Sequence, residues 1–173
     1  MPKGNVAGLP TTKSKPADYV DRINEIADEI NVVLNDRKKD KYFESVTLLY
    51  SFIENVLKWL VYSNALWQMS QKAIPVKGVR AVRVSCKRLS FYQASNSAYL
   101  AGLMDFDLFK RIESVREERN KVIHQFWTYE HRGNRSVMRK KLEKLANTAN
   151  QLVGIFNKLT KEIGVDEVYE LSL

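Results

Sequence analysis

The sequence predicts an all-α bundle of four to six helices folded as one domain, and three observations carry that reading. Glycine and proline are scarce, 7 and 4 in 173 residues, so few positions break a helix or serve the many turns of an all-β fold. Apolar residues recur at intervals of three and four through four long segments, the period of a helix that buries one side. The content, 45% apolar and 28% charged, is that of an ordinary globular chain, and the length suits a single domain with its own core.

The opening stretch MPKGNVAGLPTTKSKP has a basic start but no continuous apolar run, so residues 1–15 read as a flexible basic tail and not a secretory signal. The helical domain is expected over 16–164. Within it, Tyr19, Ile23, Ile26, Ile30, Val33 and Leu34 mark a one-sided helix over about 17–35, which the polar run NDRKKD ends. Asp40 is placed to cap the next helix, from Tyr42 to about Trp67. That segment is apolar nearly all round, which suits the middle of a bundle, except for a stripe of Thr47, Ser51, Glu54, Asn55 and Lys58. A buried helix keeps such a stripe only at an edge, an interface or a site.

SQKAIPVKG reads as a loop punctuated by Pro75 and Gly78. VRAVRVSCKRL is ambiguous, because Val79, Val82 and Cys86 fit a helix while alternating Val and Arg fit a strand; the context favours helix. SFYQASNSAYLAGLM reads as a short helix stopping near Gly102, and Asp105 as the N-cap of a long helix from Phe106 to about Tyr129. HRGNRS is a turn around Gly133. A last helix from about Val137 to Ile163 carries a seam from Met138 to Leu159, and 165–173 form a C-terminal tail.

Other features narrow the class. One cysteine, Cys86, forms no internal disulfide, and no Cys or His cluster has zinc spacing, so the expectation is a cytoplasmic protein with no metal and no cofactor. The longest apolar run is interrupted by Ser51, Glu54, Asn55 and Lys58, which argues against a membrane span. A net charge of +8 and a pI near 9.5 favour a polyanionic partner, though charge alone does not select one.

The stretch VREERNKVIHQFW carries the chemistry. Asn120 and His124, four apart, share a helix face with Arg116, whereas Arg119 is about 140° round from His124. The spacing RNKVIH, an arginine followed by a polar residue and then a histidine five after the arginine, resembles the R-polar-x-x-x-H signature of the HEPN superfamily, whose members include metal-independent endoribonucleases. YFESVTLLYSFIENVLKWLV, with Glu54 in its middle, is similar to that family's early helix. The run from Arg88 to Trp127 looks like the family's approach to the motif, so the likeness spans about Tyr42 to Trp127.

The residues suit the reaction on their own account. RNA carries its nucleophile, the 2′-OH, so cleavage needs a base, an acid for the leaving 5′-oxygen and a cation for the phosphate. Imidazole titrates near neutral pH, and a guanidinium can hold phosphate bidentately. The resemblance implies more: a homodimer in which Arg119 and His124 of both chains form one composite site, an RNA substrate cut to a 2′,3′-cyclic phosphate, and a role as a toxin or antiphage effector with a cognate antitoxin or other neutralising partner. Asn120 would orient the histidine or touch the phosphate, and Glu54 would hold Arg119. One departure concerns a branch in which a partner modifies a tyrosine two residues after the histidine; that position is Phe126 here, and the nearest tyrosine is Tyr129.

Plainer readings stand beside these. His124 could be an ordinary surface histidine, and Glu54 with Arg119 only an ion pair. His131 reads as an exposed loop residue. The run Arg132, Arg135, Arg139, Lys140, Lys141 and Lys144 could guide RNA or be a solvated helix face. Trp59, Trp67, Tyr92 and Tyr99 read as core or interface, and Cys86 as an inert buried thiol. Two rival functions remain: a catalytically inactive HEPN-like domain for interaction or nucleic-acid binding, and a helical DNA-binding regulator.

Overall fold

The computed structural model describes residues 25, 28, 32, 42–71, 77–124 and 135–163. Among them are five helices and no strand: α1 (Tyr42–Gln71), α2 (Lys77–Arg88), α3 (Phe91–Leu100), α4 (Phe106–His124) and α5 (Arg135–Ile163). The fold is therefore the all-α bundle the sequence predicts. Of the helix expected over 17–35, only Glu25, Asp28 and Val32 are described; all three are helical and exposed, at spacings that place them on one outer face. Asp40, the Pro75 loop, the turn at Gly133 and both tails lie outside the described residues.

Helix α1, 30 residues long, is the axis of the bundle and packs against each of the other four helices. Val46, Leu49, Ile53, Val56, Leu57 and Leu60 are wholly buried, and Phe52 almost so. These residues surround the helix because partners meet it from several sides. The stripe of Thr47, Ser51, Glu54, Asn55 and Lys58 is half-buried, as an edge requires. Two of its members turn back on their own backbone, Thr47 donating to the Phe43 carbonyl at 2.9 Å and Asn55 to that of Ser51 at 2.9 Å. The helix runs on past Trp67 to Gln71, since nothing between them breaks it.

The ambiguous segment is helical, and Cys86 is its buried anchor. Ser90 then caps α3: its hydroxyl accepts from the Gln93 N–H at 3.3 Å while the Gln93 side chain accepts from the Ser90 N–H at 2.9 Å. This reciprocal box satisfies two donors the helix itself leaves open. At the other end the Leu103 N–H reaches the Ala98 carbonyl (3.0 Å) and the Gly102 N–H that of Tyr99 (2.9 Å). That closing turn requires a left-handed residue, and Gly102 supplies it with φ +71°.

Phe106, the first helical residue of α4, is half-exposed, its ring 6.1 Å from Tyr99 and 6.4 Å from Phe109. One sequence expectation needs correction here. Arg135 and Ser136, read as part of a turn, already belong to α5. Among the described residues no helix is long and apolar enough to cross a membrane.

Candidate functional site

Helix α4 delivers the RNKVIH residues, and its start is set by Asp105, whose carboxylate accepts from the Leu108 N–H at 2.7 Å. Asp107 in the first turn adds negative charge at the positive end of the helix dipole. Leu108, Ile112, Val115 and Val122 are the buried residues of α4. Their spacing is four, three and seven, and the seven is divided by Arg119, four after Val115 and three before Val122. Arg119 thus occupies a position of the core-facing register and points at α1, without having to reach round from the polar face.

What receives it is Tyr50 of α1. The Arg119 guanidinium carbon lies 4.9 Å from the centre of the Tyr50 ring, and that ring is stacked on Phe91 of α3 at 4.5 Å and 14°. A cation over an aromatic face is attracted by the ring's electron density, more strongly where water is excluded. Arg119 Nη1 also donates to Asn120 Oδ1 at 3.3 Å, while its Nε is buried without a hydrogen-bond partner. A guanidinium has five donors, and a buried one left unused costs free energy until an acceptor arrives. Burial pushes the Tyr50 hydroxyl above its ordinary pKa of 10.0, the Glu54 carboxylate adds to that, and the charges of Arg119 and Arg116 oppose it. The hydroxyl therefore stays protonated at neutral pH and can donate.

The remaining predicted residues fall into separate groups. Glu54 does not hold Arg119: it pairs with Lys58, one turn along its own helix, at 2.7 Å. The aromatic ring does the work assigned to the carboxylate. Arg116 bonds Glu113 at 2.8 Å and lies 5.7 Å from the Tyr92 ring centre, and Glu113 accepts from Ser95 at 2.8 Å, so Arg116 ties α4 to α3. His124 ends the helix, exposed, and makes no hydrogen bond or ion pair with Arg119. Within one chain the two motif residues point apart.

His131 lies outside the described residues, as does Arg132 of the basic run, and Arg135 is the first residue of α5. Arg139 is exposed and pairs with Glu143 at 3.2 Å, and Lys140 and Lys144 are exposed. Lys141 has a structural role, bonding Glu118 of α4 at 2.9 Å. Glu118 also accepts from the Tyr42 hydroxyl at 2.6 Å, which joins α1, α4 and α5 in one polar knot. Burial raises its carboxyl, but the bonds from Tyr42 and Lys141 and the charges of Lys141 and Lys121 outweigh that and hold it below the ordinary 4.5.

Sequence reasoning missed Tyr50, although it lies four residues before Glu54 on the same helix. It also missed the knot at Glu118, for which no local pattern exists. Among the described residues, no three His, Cys, Asp or Glu side chains gather as metal ligands would. No family model, curated protein or solved structure matches the chain.

Proposed function

We propose that the protein is a metal-independent endoribonuclease of the HEPN type that acts as a homodimer. The observation that carries this reading is Arg119: a cation at a core register position, seated on Tyr50, with a buried Nε that no protein group satisfies. The remaining N–H groups of the same guanidinium have the geometry to hold a phosphate oxygen. His124, exposed at the end of the same helix, is free to meet RNA and a second chain. One chain offers a single imidazole, whereas 2′-OH attack uses a base and an acid, so two chains would supply the pair. Arg119 would hold the phosphate and offset its growing charge, with Asn120 steadying the guanidinium. The wider role proposed is that of a cytoplasmic toxin or antiphage effector kept in check by a neutralising partner.

The test is incubation of the purified protein with RNA in excess EDTA. Cleavage is expected, with 2′,3′-cyclic phosphate ends, and it should vanish in Arg119→Ala and in His124→Ala. Substrate with 2′-deoxyribose at the cut position should stay intact. Cleavage that survives both substitutions would overturn the proposal. The separation of His124 from Arg119 within one chain favours a second reading, an inactive HEPN-like domain that binds nucleic acid; intact RNA with retained binding would support it.

A further inference from the structure

Helices α3 and α4 lie antiparallel in a single register, which three side-chain contacts set. The Arg116 guanidinium carbon is 5.7 Å from the centre of the Tyr92 ring, Glu113 accepts from Ser95 at 2.8 Å, and Phe109 stacks on Tyr99 at 4.8 Å and 21°. The motif end of α4 is therefore the end at which α3 begins. In the first turn of α3 Phe91 turns inwards, 2% exposed, to receive Tyr50. One residue on, about 100° round the helix, Tyr92 turns outwards and is 55% exposed. The core role expected of Tyr92 falls to Phe91 instead. An exposed side chain ordinarily changes rotamer freely, but this one is braced. Arg116 covers one face of the ring and is held by Glu113 at 2.8 Å, and Glu113 is bonded to Ser95, one turn along α3 from Tyr92. The backbone of that turn is fastened too, the Tyr92 carbonyl accepting from Ser95 Oγ at 3.1 Å and from Asn96 Nδ2 at 2.8 Å. With one face on Arg116 and more than half the residue exposed, the other face of the ring meets solvent.

A braced aromatic face open to water is what an unpaired nucleobase stacks on, whichever base it is. We propose that Tyr92 is the stacking platform for a base of single-stranded RNA, on the nucleotide beside the phosphate that Arg119 would hold. Arg119 is three residues beyond Arg116, so about 4.5 Å further along α4 and about 60° round it. The Tyr50 ring on which Arg119 is seated rests on Phe91, next to Tyr92 in the chain. The two seats are thus neighbours, as the base and phosphate of one nucleotide require. Arg116 is not a cation for phosphate, because Glu113 already meets its charge; its part is to position the ring. A base suits this place better than an apolar segment of another protein. An apolar cover would strip Arg119 and Asn120 of water, whereas a nucleotide brings acceptors to them. The place of the phosphate rests on the ribonuclease reading; stacking of a base on Tyr92 does not.

The experiment uses the full chain with His124→Ala, so that RNA stays whole, and follows the fluorescence anisotropy of a labelled oligouridine at several salt concentrations. Adding Tyr92→Leu should weaken binding about tenfold and leave the dependence on salt unchanged, since a stacked base is lost and no phosphate contact is. Tyr92→Phe should bind as the parent does, and Tyr92→Trp at least as tightly. An oligomer of the same length with abasic sites should bind the parent as weakly as oligouridine binds the Tyr92→Leu chain, and should not distinguish the two proteins. A purely structural role for Tyr92 would not produce that dependence on the base, and matching melting curves verify the fold. Unchanged affinity in Tyr92→Leu, an equal loss on the abasic oligomer or equal binding of duplex RNA would overturn the platform even if the wild-type chain cleaves RNA. A loss that depends on the base, in variants of a chain that never cleaves, would uphold the platform and overturn the ribonuclease.

Discussion

Arg119 stands where the pattern Leu108, Ile112, Val115, Val122 would place another aliphatic side chain, and the fold accommodates it by putting Tyr50 opposite. Replacing Tyr50 by Phe keeps the ring and should leave the proposed RNA cleavage within a few-fold of wild type. Replacing it by Leu removes the cation–π contact, worth about 0.5–2 kcal/mol, and should slow cleavage by about threefold to thirtyfold in single-turnover assays. Equal losses in both variants would show that the hydroxyl, and not the ring, is what matters. Glu118 gives a pH prediction. Its folded carboxyl titrates below 4.5, so the stability it supplies is complete above that value and is lost as pH falls through the folded pKa. Glu118→Gln should therefore cost about 1–3 kcal/mol in urea unfolding at neutral pH, and the difference from wild type should shrink towards zero in acid.

Among the elements, α3 and its closing turn set where α4 begins, and through it where the motif lies. Gly102 has open space where a Cβ would stand, so Gly102→Ala meets no clash and reports backbone strain alone. The expected loss is about 1–2 kcal/mol, read as a lower melting temperature. Ser90→Ala removes one arm of the capping box and should cost about 1 kcal/mol. The start of α4 was legible from sequence because a short polar residue, Asp105, precedes an apolar run, whereas the Ser90 cap of α3 was not singled out. The helix at Lys77–Arg88 was less so, because alternating Val and Arg suit either period, and only packing against α1 decides between them.

For the molecule as a whole, the centre is α1. Leu57 is wholly buried within it, and Leu57→Ala should destabilise the protein by about 2–5 kcal/mol, since a packed interior closes such a hole only in part. A substitution at exposed Lys140 should change stability by less than about 0.5 kcal/mol. The proposed composite site makes a second prediction at this scale. Sedimentation should show a dimer, and specific cleavage activity should fall on dilution into the range where the dimer separates. Full activity in a monomer would rule out a shared site.

The amino-acid sequence by itself determined the all-α class, the positions of the described helices other than Lys77–Arg88 and the alignment of Arg116, Asn120 and His124 along one helix, because helical period and capping chemistry are local. It could not determine what faces Arg119. The HEPN resemblance, through the acid in the middle of the long apolar helix, made Glu54 the expected partner, yet Glu54 finds Lys58 one turn away, a pair needing no tertiary contact. The seat is instead an aromatic ring from α1 braced by Phe91 of α3, brought together across residues 50, 91 and 119. The angle at which three helices cross decides that meeting. Side-chain packing over the whole core sets such angles, and no window of the sequence contains them.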